Sequence, residues 1–259
     1  MSTKISAWPA ATPMWVDLGV DDLEAATTFY SELFGWTFAG GGPESGGYLL
    51  AELRGRAVAG LGPNQAPGTP ASWTTYIASD DVQETAGKIV AAGGKLLAPP
   101  FDVMDSGRMA LAADSVGSVF GVWQAGNHIG AERVNEHGAL CWNELHAHDH
   151  VAAKSFYTDV FGVSFQEIGQ DGDAYATIRR PLDGREVGGV LHTPDAANDS
   201  GHWVTWFASD HVHSTALRAV ELGATLIRPV SESPLGHTAV VRAPQGETFG
   251  IIDAPRTAD

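Results

Sequence analysis

The sequence predicts an α+β fold built by tandem duplication, four β-α-β-β-β units in a row, and three observations carry this. Trp15 to Phe38, WVDLGVDDLEAATTFYSELFGWTF, matches Trp142 to Phe165, WNELHAHDHVAAKSFYTDVFGVSF, without a gap and with ten identities in twenty-four positions. WTTYIASDDV from Trp73 is echoed by WVTWFASDHV from Trp203. Each of these four places opens the same succession: an alternating strand, a helix that stops at glycine, and three short strand-like runs.

In the first unit, Val16, Leu18 and Val20 alternate with Trp15, Asp17 and Gly19, the period of a strand with two unlike faces. Asp21 and Asp22 offer a helix N-cap, Phe29, Tyr30, Leu33 and Phe34 supply an apolar stripe, and Gly35 ends it. Strand-like runs follow at Trp36 to Phe38, Tyr48 to Leu53 and Ala57 to Leu61. After the proline- and glycine-rich GPNQAPGTPAS of residues 62–72, the second unit has strand Trp73 to Ala78, helix Val82 to Ala92, and strands near Lys95 to Ala98, Arg108 to Ala112 and Val119 to Trp123. The polar run GNHIGAERVNEHG then marks a domain boundary, giving domains at residues 1–126 and 139–259 with 127–138 as connector. The third unit sets helix His150 to Phe161 among strands ending at His192, and TPDAANDSG leads to the fourth, with helix His211 to Leu222 and a last strand at Thr248 to Asp253.

Composition bounds what such a chain does. Its 259 residues suit two domains, and 44% hydrophobic content marks a globular protein. A formal charge of −16 repels phosphate backbones and anionic lipid, so neither nucleic acid nor a membrane is an expected partner. No apolar run reaches the roughly 20 residues that cross a bilayer, and MSTKISAWPAATP lacks a signal peptide's apolar core, so the chain is read as cytoplasmic. The lone Cys141, in an apolar strand beside Trp142, reads as a buried, inert thiol facing the helix.

DLEAATTFYSELFGW from Asp22, DHVAAKSFYTDVFGV from Asp149, and the closing runs DSVGSVFGVW from Asp114 and APQGETFGII from Ala243 resemble the vicinal oxygen chelate superfamily of glyoxalase I, bleomycin- and fosfomycin-resistance proteins and extradiol dioxygenases. The resemblance covers nearly the whole chain, and four correctly ordered units look like the two-domain glyoxalase-like bacterial proteins often labelled hydroxylases. It implies paired units curling mixed sheets into concave cups, helices outside and a small-molecule pocket inside. An enzyme of this kind would be a glyoxalase-like lyase or a hydroxylase or oxygenase of secondary metabolism.

Strand parity says what lines such cups. With Val16, Leu18 and Val20 toward the helix, Trp15 and Asp17 turn inward, and by the same parity so do Trp142, Glu144 and His146. Alignment of the second and fourth units adds Thr74, Tyr76, Val204 and Trp206; Arg108 and His237 hold equivalent places before matching strands and are further ligand-binding candidates, the alternative being a surface position for either. Aromatic walls with a few polar groups suit a flat organic ligand. Asp17, Glu144 and His146 are the candidate acid–base residues, since inward carboxylates beside aromatics have raised pKa values; the alternative for the carboxylates is a structural pairing with arginine or a backbone amide.

Metal-dependent members of the family hold a divalent ion with His, Gln or Glu on opening and closing strands. Here the resemblance places Trp15, Thr74, Trp142 and Val204 at the opening positions and Gly121 and Gly250 at the closing ones, with the others near Gly60 and Gly189. None ligates metal, and all ten histidines lie at His128 or later, which leaves the first domain without imidazole. His146, His148 and His150, with His192, His202 or His237, form a possible improvised site, but residues two apart on a strand rarely converge on one ion. No metal or other cofactor is expected. Three readings stay open: a metal-independent enzyme acting on a small aromatic or carbonyl-containing metabolite, a non-catalytic protein that sequesters a drug or metabolite, and a metal-dependent lyase or dioxygenase with displaced ligands. The chain is expected to be a monomer or homodimer.

Overall fold

In the computed structural model, residues 2–64, 66, 68–168, 175–193, 201–233 and 236–254 are described. The first unit is β2 (Pro13–Val20), α1 (Leu23–Phe34), β3 (Thr37–Gly40), β4 (Leu49–Leu53) and β5 (Arg56–Pro63), preceded by the two-residue β1 (Ser2–Thr3). The second is β6 (Ser72–Ala78), α2 (Val82–Ala91), β7 (Lys95–Val103), β8 (Gly107–Ala113) and β9 (Val119–Ala125), followed by β10 (Arg133–Val134). The third is β11 (Leu140–Ala147), α3 (His150–Phe161), β12 (Ser164–Ile168), β13 (Tyr175–Arg179) and β14 (Glu186–His192). The fourth is β15 (His202–Ser209), α4 (Val212–Glu221), β16 (Thr225–Ser233), β17 (Gly236–Arg242) and β18 (Thr248–Asp253). This is the α+β order that the repeats predict.

Units one and two form one sheet, in the order β3-β4-β5-β2-β6-β9-β8-β7, and units three and four form the other, β12-β13-β14-β11-β15-β18-β17-β16. Within each, the opening strands pair antiparallel with one another and parallel with the closing strand of their own unit, so both sheets are mixed. Local chemistry sets the helix ends. The Asp22 carboxylate caps α1 by accepting from Ala25 N–H and Asp149 caps α3 through Ala152 N–H, while Gly35 and Gly162 close the two helices in the left-handed region.

The helices lie outside both cups, and because the cups stand back to back the helices meet in the interior: α1 packs on α4, and α2 on α3. Between them β6 touches β15 directly, and the buried Thr75 hydroxyl donates to Asn143 Oδ1 across the contact at 2.9 Å. One core cluster joins Tyr30, Phe34, Trp36 and Trp73 of the first half to Phe207 and Phe249 of the second; another joins Ile77, Val82 and Phe120 to Phe156, Tyr157 and Trp203. Each cluster contains a polar bridge. Tyr30 donates to Glu247 Oε1 (3.0 Å) and accepts from Trp73 Nε1 (3.3 Å); Tyr157 donates to Asp114 Oδ2 (3.2 Å) and accepts from Trp203 Nε1 (2.9 Å). Desolvation raises the pKa of both carboxylates.

The connector is more ordered than a polar linker. β10 joins β11, and β1 adds onto β10, so the chain's first strand completes the second half's sheet. The linker at residues 193–201 falls largely outside the described residues. Among the described residues no helix is long and apolar enough to cross a membrane.

Deleting one bridging hydroxyl, in Tyr30→Phe or Tyr157→Phe, removes the donor to one oxygen of a buried carboxylate and leaves an indole N–H without its acceptor, while Asp114 keeps the N–H groups of Val116 and Ser118. Each variant is expected to lose about 1–3 kcal/mol in urea unfolding, and the double variant close to the sum, because the bridges sit in separate clusters. A loss under about 0.5 kcal/mol in both single variants would show that the bridges do not hold the halves together.

Candidate functional site

β2 supplies the centre of the first cup. Its register sets Trp15 opposite Tyr76, and Asp17 opposite Thr74 and beside Gly60, so these residues share the face turned away from Val16 and Leu18. Trp15 and Tyr76 are only 4% and 7% exposed, whereas Asp17 and Thr74 retain partial exposure. A relay runs across the floor. Trp15 Nε1 donates to Tyr48 Oη (3.1 Å), the Tyr48 hydroxyl donates to Asp17 Oδ2 (3.4 Å), and the Tyr76 hydroxyl also bonds Asp17. Desolvation pushes the Asp17 carboxyl up to about 7 against the opposing pull of the two tyrosines.

The second cup repeats the relay with changed parts. Trp142 Nε1 donates to Tyr175 Oη (3.0 Å), Tyr175 bonds Glu144, and His146 Nε2 lies 2.6 Å from Glu144 Oε1. Trp206 takes the place of Tyr76, pairing with Trp142, and the Arg228 guanidinium stands 5.4 Å over its ring. His146 and His202 rings lie 5.2 Å apart, and those of His150 and His192 4.3 Å apart.

Sequence reasoning missed Tyr48 and Tyr175, which hold the carboxylates. They follow Trp15 and Trp142 at the same distance along the chain, so the repeat contained the signal. Arg228 was also missed, since no counterpart in the first half marks it. Four expectations need correction. Arg108 pairs with Gln124, whose side chain accepts from Val82 N–H at the start of α2, so Arg108 lies on the helix face, 3.6 Å from Asp102. His237 likewise leaves the cup, bonding Asp253 Oδ2 through Nδ1 (2.9 Å) with its ring against His213 of α4. Cys141 packs with Trp142, Val204 and Trp206 rather than toward the helix, because a β-bulge between Leu140 and Trp142 places two successive side chains on one face; burial pushes its thiol up to about 12. Nor is the first cup without imidazole, since His128 of the connector stands edge-on to Trp15 at 4.4 Å.

Glycines at the floor explain how the relay fits. A Cβ on Gly60 would meet Tyr48 Oη at 1.8 Å, on Gly121 the Tyr76 ring at 2.1 Å, on Gly189 Tyr175 Oη at 2.2 Å, and on Gly250 the Trp206 ring at 2.1 Å. These are the positions where metal-dependent relatives are expected to carry ligands. A transition-metal site needs about three or four converging donors, and here aromatic rings lie over glycine in their place. Among the described residues no three His, Cys, Asp or Glu side chains form a group that could hold an ion, so the donor set does not fit a metal, and no chemical step is routed through one. A cavity of about 180 Å³ lies beyond the strand ends, lined by Trp8, Met14, Asp80, Trp123 and Ile129 among others, and touches the first cup through Trp123.

Back-to-back pairs of β-α-β-β-β units, each pair with an inward carboxylate beneath aromatic rings, define a duplicated α+β architecture. The chain belongs to the Glyoxalase/Bleomycin resistance protein/Dioxygenase superfamily, which matches residues 13–122 and again 142–251. It is 40% identical over 257 residues to "Putative glyoxylase CFP32" of Mycobacterium tuberculosis, covering 96% of this chain and 97% of that one. It is 33% identical over 259 residues to the anthracycline biosynthesis protein DnrV of Streptomyces peucetius, covering 93% and 92%. Among solved structures, the Mn(II)-bound glyoxalase of Novosphingobium aromaticivorans superposes with a TM-score of 0.68 at 18% identity, covering 96% of this chain and 84% of its own. The 2,3-dioxygenase LapB of Pseudomonas sp. KL28 gives 0.68 at 14%, covering 95% and 93%. Both share the fold.

Two measurements test this geometry. Asp17 has a folded pKa above its ordinary 3.8, so its contribution to stability is full below about pH 4 and is lost as pH rises toward 7. Relative to Asp17→Asn, wild-type unfolding free energy should fall across that window by at most about 1.4 kcal/mol per pH unit; a flat difference would mean that Asp17 titrates normally. Gly121→Ala should cost about 1–3 kcal/mol by displacing the Tyr76 ring, whereas Gly87→Ala, in the open middle of α2, should stabilise by up to about 1 kcal/mol. Equal effects in the two variants would show that the floor has slack.

Proposed function

We propose that the first cup binds a small planar aromatic metabolite bearing hydroxyl or carbonyl groups, and that Asp17 exchanges a proton with it as general acid or base without a metal ion. The observation that carries this is the partly exposed Asp17 carboxyl at about 7, held by two tyrosine hydroxyls on a floor whose Trp15 and Tyr76 rings are buried. A base whose pKa lies near working pH is both present in its active form and strong enough to accept a proton. Trp15, Thr74 and Tyr76 would line the ligand, and the hydroxyls of Tyr48 and Tyr76, both above their ordinary pKa and so protonated, would donate to an oxygen that gains charge as the proton leaves. The chemistry is a redox-neutral proton transfer. In the second cup Trp142, Trp206, Glu144 and His146 would form a related site, with the domain boundary in the connector. The dioxygenase members of the family and the likeness to an anthracycline biosynthesis protein support the ligand class.

Native mass spectrometry of freshly purified protein is the route to the ligand. With it in hand, kcat/KM should rise with pH through about 7, lose that limb and at least about a hundredfold in rate in Asp17→Asn, and be unchanged by prolonged chelation. Trp15→Ala should weaken binding about tenfold or more. Full activity in Asp17→Asn would remove Asp17 from the chemistry; activity lost on chelation and restored by one divalent ion would replace this reading with a metal-dependent one.

A further inference from the structure

The connector reaches back over the first cup. Main-chain hydrogen bonds fix it at the rim: Gly126 and His128 N–H donate to Ser106 O (2.9 Å each), Ala131 N–H to Met14 O (2.9 Å) and Glu132 N–H to Ala57 O (2.8 Å). Gly130 permits the approach, since its φ is 90° and a Cβ there would lie 2.3 Å from the Met14 sulfur. The His128 ring is thereby set edge-on between Trp15, at 4.4 Å, and Trp123, at 5.5 Å, while its carbonyl accepts from Trp123 Nε1 at 2.9 Å.

Its Nε2 is shut off from water and has no hydrogen-bond partner among the described residues. A buried polar atom without a partner is destabilising, and a phenylalanine would make the same edge-on contacts without that penalty. The ring contacts alone therefore do not require a histidine at this atom. We propose that His128 is a ligand-recognition residue of the first cup, its Nε2 hydrogen-bonding a hydroxyl on the aromatic ring that docks beside Trp15; this rests on the reading of that cup as a site for planar aromatics. Burial lowers the imidazole to about 4, so at neutral pH it offers a hydrogen bond without a charge. That suits a phenolic hydroxyl, which both donates and accepts.

The test follows quenching of tryptophan fluorescence by 1,2-dihydroxyanthraquinone and by unsubstituted anthraquinone, in wild type, His128→Phe and His128→Gln, alongside thermal unfolding. Wild type should prefer the hydroxylated probe; His128→Phe should lose about tenfold for that probe alone and bind the two equally, with a Tm at or above wild type; His128→Gln should regain part of the preference. An unchanged preference in His128→Phe would overturn the role. So would a joint fall in both affinities and in Tm, which is the mark of packing alone. If wild type binds both probes without preference, only the role of His128 falls; if it binds neither, the reading of the cup as an aromatic site falls and takes this proposal with it.

Discussion

The structure depends on a buried carboxylate of one half meeting a tyrosine of the other, twice. Tyr30 reaches Glu247 and Tyr157 reaches Asp114, with each pair roofed by a tryptophan that donates to the tyrosine oxygen. Glu247 and Asp114, with 2% and 4% of their surface exposed, each take one partner from the tyrosine hydroxyl opposite, and the second oxygen of Glu247 has none among the described residues. The apolar packing that excludes water from each pair also makes its geometry hard to exchange. Because these bridges lock the backs of the two sheets, the cup faces are free to diverge, and they have done so.

The divergence follows one rule in all four units. Where a ligating side chain would rise from the closing strand there is glycine, and an aromatic group from a neighbouring strand lies across it. Ring volume from one strand fills the space over glycine on the next, and Asp17 and Glu144 are the groups around which the aromatics arrange their hydroxyls. The halves then part company. Tyr76 gives the first cup a second hydroxyl on its carboxylate, whereas Trp206 gives the second a platform for Arg228.

Much of the fold was legible because duplication supplies its own alignment. Caps at Asp22 and Asp149, stops at Gly35 and Gly162, and the parity of Trp15 and Asp17 against Val16 and Leu18 are local properties of short segments. What escaped was non-local. Arg108 and His237 fit a linear correspondence between units but sit on the helix face, a fact fixed by partners on β9 and α4. The bulge that rotates Cys141 depends on the register of β11 against β15. His128 lay in a run with neither period, and only the folded rim explains why the connector turns back to cover the first cup.

The bridging of β1 to β10, and of α1 to α4, has a temporal side. On the ribosome the first strand emerges more than a hundred residues before the one it pairs with, and the apolar stripe of α1 waits for the last unit to leave the exit tunnel. Until then the first half carries Tyr30, Phe34 and Trp36 without the Phe207 and Phe249 that cover them. Contacts of such sequence separation fold slowly and expose sticky surface in the interim.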